Sequence, residues 1–546
     1  MNQIQRVFES ACGEIIEQIL HREITTEKEL NTAKKQVSAR YKLSRLPKNA
    51  EILAVCPADE RVRVIPLLQR KPVRTVSGVA VVAVMTSPHP CPHGACVPCP
   101  GGPASVFNTP QSYTGREPAT MRAISCGYEP YEQVTNRLRQ LHQIGHPVDK
   151  AELIVMGGTF TARPPDYQQW FVRRCVMAMN DFTDFTDARG PVTGDHDLKS
   201  VIATNETAMV RNIGITFETR PDFLSTDEID RLLEMGATKV EIGVQSTYDH
   251  VLKLINRGHT VQDAIDANKR LRDSGIKVGF HVMIGLPGSS IEDDLRMFGA
   301  LFGDPAFCPD HLKIYPTLVA EGTVLHQWWE DGSYRSLDND GAVELIAEIK
   351  RLLPRWVRLQ RIQRDIPAYQ VIAGVTKGNI RQLAEERLRQ AGDSCRCIRC
   401  REVGHATLRG IKPNPEKVEL LIERYEACGG TEHFISFEDV ANNILVGFLR
   451  LRFPHSPHRT ELAGAALVRE LVVYGRMVGI GTGPGEHQWQ HRGYGKRLLA
   501  AAEDLASAHG FEKIAITSGI GVREYYMKHG YVRDGAYMVK YLGTSF

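Results

Sequence analysis

Cys91-Pro92-His93-Gly94-Ala95-Cys96-Val97-Pro98-Cys99-Pro100-Gly101-Gly102 packs three thiols into nine residues. Its prolines fix φ and lack an N–H, and the Gly-Gly pair at its end resists helix, so the stretch reads as a loop. Immediately upstream, residues 79–85 read VAVVAVM, an apolar run of buried-strand length. A strand that delivers three thiols into a stiff loop suits a metal site. Three thiolates fill three corners of a 4Fe-4S cluster and leave one iron for an outside ligand. A structural zinc, with His93 as a further ligand, is the alternative.

The 546 residues suffice for about three or four domains with cores of their own. Hydrophobic residues make up 42% and charged residues 24%, the balance of an ordinary globular chain. Lys+Arg 67 against Asp+Glu 64 leaves +3, so only the distribution of charge can point to partners. No apolar run has membrane-span length, and the opening MNQIQRVFESACGEIIEQIL patterns as an amphipathic helix, unlike a signal peptide. Six of the 12 cysteines fall in two tight clusters. That is the pattern of metal chemistry in a reducing cytoplasm, and it argues against a disulfide scaffold.

Residues 1–75 read as an accessory segment. Helical patterns over 4–21 and 27–41 lead into Lys34, Lys35, Arg40, Lys42, Arg45 and Lys48, followed by Arg61, Arg63, Arg70, Lys71 and Arg74. One such run is an ordinary solvated face. Two of one sign beside the metal loop predict a polyanion contact, with nucleic acid the natural candidate.

Over 76–390, strands at 79–85, 152–156, 213–218, 239–245, 277–284, 312–315 and 357–363 alternate with helical patterns at 132–144, 226–235, 260–274, 291–302 and 343–353. This predicts a parallel α/β architecture, open sheet or barrel. Several strands end in Gly157-Gly158-Thr159, Glu218-Thr219-Arg220-Pro221, Gln245-Ser246, Gly285-Leu286-Pro287-Gly288 or Lys313. In a barrel the C-terminal strand ends build the active site, which places Gly157 and Gly158 at a cofactor and Lys313 among the catalytic residues.

These features resemble the radical SAM superfamily, in which S-adenosylmethionine chelates the open iron. The chain departs from the usual spacing: four residues, not three, separate Cys91 from Cys96. That spacing, with CPGGP, QSYTGREPATMRA (111–123), VMGGTF, ETRPD, VEIGVQS, NRGHT and LKIYPTLV, resembles the Elongator catalytic-subunit family, and the likeness runs to the C-terminus. The expected fold is therefore a radical SAM partial (β/α) barrel joined to a C-terminal α+β acetyltransferase domain.

Cys395, Cys397 and Cys400 bring three thiols into six residues and read as a zinc site in a linker at 391–415 that needs one more ligand. Cys308 is the expected fourth corner, with His311 and His405 as competitors. In the segment 416–546, strands at 434–437, 445–452 and 465–474 precede Gln490-His491-Arg492-Gly493-Tyr494-Gly495 and a helix at 496–509. A strand at 513–517, a helix with Tyr525-Tyr526 and a closing strand at 531–541 follow. The Gln-x-x-Gly-x-Gly turn resembles the pyrophosphate loop of the GNAT acetyltransferases, where backbone N–H groups and a helix N-terminus grip coenzyme A. The resemblance assigns acetyl-coenzyme A contacts to Glu470, Leu471, Val472, Val473, Gln490, Gly493, Tyr494, Gly495, Lys496 and Tyr526, and to Lys150 in the barrel half. Tyr525 or Tyr526 is suited to protonate the leaving thiolate.

The resemblance implies a reaction. A 5′-deoxyadenosyl radical takes hydrogen from the acetyl methyl, the carbon radical adds to C5 of the wobble uridine (U34) of tRNA, and thioester hydrolysis leaves 5-carboxymethyluridine. The partner would be the tRNA anticodon stem-loop, held by cations along its backbone. A homodimer or an Elongator-type complex stays open. A histone-like lysine acetyltransferase with a structural iron-sulfur cluster is the rival reading; against it, the C-terminal segment has no acidic run to draw a basic tail. A tRNA-binding scaffold with a vestigial barrel is a second rival.

Overall fold

The structure, a computed structural model, describes residues 3–57, 59–183, 197–411, 413–475 and 489–543. Helices Gln3–Leu20, Glu27–Arg40, Asn49–Val55 and Arg61–Leu68 bundle around Ile15, Ile16, Leu30, Val37, Ile52 and Leu53. Each such side chain contributes about 1.5–3 kcal/mol by leaving water. Thr26 and Glu29 close the second helix with reciprocal side-chain and backbone bonds. Most of the basic residues of this body are exposed, but Lys34 is not: its ammonium is buried against Asn49, so it drops out of the expected cationic face. Arg40 and Arg45 are also neutralised locally, by Glu14 and Glu51.

A seven-stranded parallel sheet follows. Its strands are β1 (Ala80–Met85), β2 (Lys150–Met156), β3 (Arg211–Thr219), β4 (Ala237–Gln245), β5 (Lys277–Ile284), β6 (His311–Pro316) and β8 (Arg358–Ile362), in that spatial order. A short pair, β7 (Val319–Ala320) with β9 (Val371–Ala373), caps one end. Each strand alternates faces as a period of two requires. Val82, Leu153, Phe217, Val240, Phe280 and Ile314 are fully buried toward the crossover helices. The other face carries Glu152, Glu218, Lys239, Glu241, His281 and Lys313. This curved, polar-lined sheet is the partial barrel that the alternating strands and helices predict.

The last unit is a second seven-stranded sheet: β10 (Val418–Ala427), β11 (Gly430–Asp439), β12 (Ile444–Phe453), β13 (Ala465–Val473), β14 (Lys513–Ile516), β16 (Tyr537–Tyr541) and β15 (Val532–Asp534), neighbours in that order. Two features differ from expectation. The segment 531–541 is a hairpin turned at Gly535, not one strand. An edge strand, β10, precedes the predicted ones; it is half exposed, and its Glu419, Glu423, Arg424 and Glu426 mask the alternation that would announce it.

The two sheets share a core. Ala465, Leu467, Ala515, Tyr537 and Val539 join the barrel's hydrophobic cluster, while Ala466, Val468, Ile514, Ile516 and Met538 on the opposite face pack with Leu498 and Ala502 of helix Tyr494–Ala508. One face of the C-terminal sheet is thus laid on the barrel.

Candidate active site

The three loop thiols open into a cavity at the C-terminal ends of the barrel strands, lined also by Glu218, Arg257 and Tyr315. Gly157, at φ 120, brings the end of β2 so close to β1 that a Cβ there would sit 2.3 Å from Thr86 Oγ1. Neighbouring side chains surround each sulfur. Gln111 Nε2 donates to Cys99 Sγ at 3.0 Å, and Ser112 Oγ lies 3.3 Å from it. Thr159 Oγ1 is 3.5 Å from Cys91 Sγ. His93 Nε2 is 3.1 Å from Cys96 Sγ, which Arg257 also approaches at 3.7 Å. Arg220 touches the His93 ring and pairs with Asp222. Burial pushes the Cys96 thiol up to about 11, with Arg257 pulling the other way. A metal must displace those protons, and the guanidiniums offset the negative charge that results.

The donor set fits a cluster better than a single ion. Zinc–sulfur bonds of about 2.3 Å put tetrahedral ligands about 4 Å apart. Among the described residues, the sets of three or more metal-capable side chains whose ligand atoms all fall within 4.8 Å are Cys395–Cys397–Cys400 and Glu218–Glu241–His281. Cys91, Cys96 and Cys99 do not form such a set, so their spread suits a polynuclear centre.

Lys313 stands deeper in the barrel. Its Nζ is 2.8 Å from Glu218 Oε1 and also meets Glu241, while His281 Nε2 is 2.9 Å from Glu241 Oε2. Burial alone would lower the Lys313 pKa, but the Glu218 and Glu241 carboxylates outweigh it and hold the ammonium well above the ordinary value. Lys313 is thus a fixed cation, not a proton acceptor, and it fills the space a metal would need between those carboxylates.

In the second thiol triplet, Lys350 Nζ lies 3.6 Å from Cys400 Sγ and 3.1 Å from Glu385 Oε1. This ammonium, shared with Glu385, favours the thiolate form of the neighbouring sulfurs. Cys308 does not join them. Its thiol points at the carbonyls of Phe302 and Asp304, at 3.8 and 3.5 Å, because a left-handed φ of 45 and the grip of Arg272 on its carbonyl turn it away. His405 and His311 are engaged with Glu402 and Glu470 at 3.1 and 3.5 Å.

In the C-terminal sheet, β13 and β14 run parallel only from Ala465–Lys513 to Val468–Ile516 and then part. Beyond this fork, among the described residues, Glu470–Val473 pair with β12 on one edge, and on the other only Val473 O is engaged, by Gln490, which leaves that edge to an extended ligand. Gly493, at φ 82, starts helix Tyr494–Ala508 on this side. Gln490 Nε2 donates to Val473 O at 3.2 Å, and Lys150 Nζ reaches Gln490 Oε1 at 3.4 Å. A Cβ on Gly495 would lie 2.9 Å from the Tyr525 hydroxyl, which therefore faces the loop. Lys496 is exposed on the first helical turn.

Three expected contacts change character. Tyr526 is 5% exposed and packs edge-on against Tyr531, so it belongs to the core. Tyr494 packs against Phe437 and can offer only its backbone. Glu470 sends its carboxylate to Arg450 at 2.8 Å and toward His311, away from the open edge.

The sequence reading did not single out Gln111, Arg257, Glu241 and His281. The first three sit inside the motifs quoted above. His281 has no motif, and only its register opposite Lys313 reveals it.

Family models match in chain order: "ELP3 N-terminal domain" at 8–76, "Radical SAM superfamily" at 91–299, "Radical_SAM C-terminal domain" at 309–390 and "Acetyltransferase (GNAT) family" at 405–531. The "tRNA uridine(34) acetyltransferase" of Methanocaldococcus infernus is 51% identical over 500 residues, covering 91% of this chain and 92% of that protein. Human "Elongator complex protein 3" is 43% identical over 540 residues, 97% and 96% of the two chains. The solved structure of the archaeal Methanocaldococcus infernus Elp3 with residues 1–46 deleted superposes with a TM-score of 0.74 at 46% identity, over 86% of this chain and all of that one. With an accessory helical body, a thiol-bearing partial barrel and a forked acetyltransferase sheet in one polypeptide, this chain belongs to the Elongator complex protein 3 family of radical SAM and GNAT proteins.

Proposed function

We propose that this chain modifies the wobble uridine, position 34, of tRNA, building a 5-carboxymethyl group from acetyl-coenzyme A. The observation that carries the reading is the joining of two sites across one barrel. Thiols and polar groups line the C-terminal strand ends, and the forked sheet meets the N-terminal ends through Lys150–Gln490 and His311–Glu470.

Cys91, Cys96 and Cys99 would hold a 4Fe-4S cluster; with S-adenosylmethionine it supplies, when bound, the one-electron chemistry that opens a C–H bond. Gly158 lines the cavity beside it, and Gly157 holds that strand end in place against Thr86. Arg220 and Arg257 offset charge around the thiolates, and Lys313 fixes Glu218 and Glu241, whose carboxylates line the cavity. The free edge of Glu470–Val473 and the loop at Gly493 and Gly495 would hold acetyl-coenzyme A, and Tyr525 stands where a leaving thiolate could take a proton. Exposed Lys35, Lys42, Lys48, Arg70, Lys71 and Arg74 would grip the anticodon stem-loop backbone. Assembly into an Elongator-type complex and residence in a reducing cytoplasm, which keeps both thiol triplets competent, complete the proposal.

The rival lysine acetyltransferase is disfavoured by packing, because one face of the C-terminal sheet is buried in the barrel's core. The test is to incubate reconstituted protein with tRNA, acetyl-coenzyme A, S-adenosylmethionine and a reductant, and to measure 5-carboxymethyluridine by mass spectrometry. Rapid acetylation of lysine peptides without RNA, and no modified uridine, would refute the reading.

Two expectations attach to single residues. Tyr525→Phe is expected to slow coenzyme A release roughly a hundredfold, the scale of a lost general acid, while Tyr526→Phe changes it little. Thiol release followed with a chromogenic disulfide separates the two. We also propose a structural zinc on Cys395, Cys397 and Cys400. Cys397→Ser is expected to remove it from elemental analysis and to forfeit about 3 kcal/mol of stabilisation, what a metal at a hundredfold its Kd supplies.

A further inference from the structure

β1 is the first strand of the barrel sheet and, among the described residues, pairs with β2 alone, which leaves its other edge open. Two guanidiniums lie on that edge. Arg122, from helix Pro118–Ser125, donates from Nη2 to Ala83 O at 2.8 Å. Arg137, from helix Pro130–Gln143, donates from Nε to Val81 O at 3.5 Å. Those carbonyls are two residues apart on one side of an extended strand, so the guanidiniums stand about 7 Å apart. Arg74 is the third cation and acts on both. It ends the short turn Pro72–Arg74, which buried His146 pins through Arg70 O at 2.9 Å and Thr75 Oγ1 at 2.8 Å.

Among the described residues, no carboxylate answers this charge. The charges that act on Arg122 and Arg137 are those of other arginines, with the Cys126 thiol beside Arg122. Burial, Arg122 and Arg74 push the Arg137 guanidinium down to about 10. Burial also holds His146 below the ordinary imidazole value, so it brings no charge of its own to the group. Arg122 Nε is buried without a hydrogen-bond partner. Half-buried cations of one sign are stabilised by an anion beside them, and here it has to come from outside the chain. Exposed Arg70 and Lys71 extend the same sign over the N-terminal body, while β1 itself runs on into the thiol loop.

We propose that Arg74, Arg122 and Arg137 form a seat for one backbone phosphate of the RNA, on the open edge of β1. The inference rests on the function proposed above and adds a fixed point from which the anticodon loop reaches the thiol cavity. A guanidinium presents its N–H groups in one plane, and two of them facing a common point bracket the oxygens of a tetrahedral phosphate with short, charge-assisted bonds. A planar carboxylate of a protein partner turns both oxygens the same way and satisfies one guanidinium at a time. The seat reads no base. It sets the register and orientation of the RNA, as backbone contacts do.

The test measures binding of the full chain, reconstituted with iron and sulfide, to a tRNA anticodon stem-loop over a range of salt. Arg122→Gln and Arg137→Gln are each expected to weaken binding about tenfold whatever the loop sequence, and to reduce the slope of log K against log salt by about 0.7–0.9, the share of one phosphate contact. Arg137→Lys should restore the slope but not the full affinity. Iron content and coenzyme A binding should not change. Each substitution also relieves repulsion among the cations, so the melting temperature of the RNA-free protein is expected to hold or rise. A lower melting temperature with RNA affinity intact would mean that the arginines only brace the strand edge, and would overturn the seat. Methylphosphonates placed one at a time along the stem-loop then locate the phosphate. At one position the neutral linkage is expected to weaken the native chain about tenfold, and the chain carrying both glutamines by no more than about twofold. If tRNA binds but no position shows this coupling, the seat is wrong and the function stands; if the native chain binds no stem-loop, the function falls first.

Discussion

Cys96→Ser is expected to abolish uridine modification, by roughly a thousandfold or more, while leaving coenzyme A binding in place. The sulfur it removes is the one contacted by both His93 and Arg257, at 3.1 and 3.7 Å. With two thiolates left, a cubane cluster loses a corner that no nearby side chain replaces: serine is a poor ligand for iron, and the imidazole of His93 is held by Arg220. Because the one-electron step depends on that cluster, the effect falls on turnover and not on substrate affinity. Iron content and the visible absorbance of the reconstituted protein should drop, and 5′-deoxyadenosine should no longer form. Thioester turnover in the C-terminal sheet should persist. A Cys96→Ser protein that still produces modified uridine would show that the loop is not the centre of the chemistry.

Arg469→Ala is expected to be the most destabilising single change at the domain junction. Arg469 is fully buried and bonds Asp310 through two nitrogens at 2.6 and 2.8 Å, and Glu432 at 2.7 Å. Arg272 reaches the same Glu432 at 2.9 Å, and Arg452 ties it to Asp273, with contacts of 3.1 and 2.6 Å. The cluster joins the barrel to β11, β12 and β13. Removing Arg469 leaves the buried Asp310 carboxylate with guanidiniums no nearer than the 3.6 Å of Arg272 and Arg450, while Glu432 keeps Arg272 and Arg452, and breaking such a buried pair costs about 3–5 kcal/mol. Calorimetry should show a lowered transition that splits as the two sheets part; an unchanged transition would mean the network is dispensable. Acid should act through the same groups. Burial alone would raise the pKa of Asp310, but Arg272 and Arg469 hold it well below the ordinary carboxylate range, and His311 and Lys277 do the same for Glu470. Groups with depressed folded-state pKa values contribute fully above the unfolded values, about 4, and the contribution is lost as pH falls through the folded ones. Stability is therefore expected to erode below about pH 4 and to change little between pH 5 and 7 on their account.

Much of this was legible before any coordinates. The apolar run at 79–85, the strand–helix alternation over 76–390, the prolines around the thiols, and the glycines before helix Tyr494–Ala508 are local instructions, and local interactions carry them out. The two-stranded end at 532–541 and the edge strand β10 escaped because a turn at Gly535 and a charged, half-solvated strand carry weak patterns.

The sequence by itself determined the strands and helices, the two thiol triplets and the glycine loop, because each depends on neighbours a few residues apart along a chain of fixed reach. Only the tertiary structure decided that Cys308 lies away from the second triplet, that Tyr525 and not Tyr526 meets the loop, and that Glu470 turns to His311. These outcomes depend on which faces exclude water against each other, and residues 159 positions apart, such as Arg469 and Asp310, meet only once two sheets have packed. The set of ion pairs inside the barrel is of the same kind. Single lysines and glutamates in separate strands acquire a common axis only when the strand registers align.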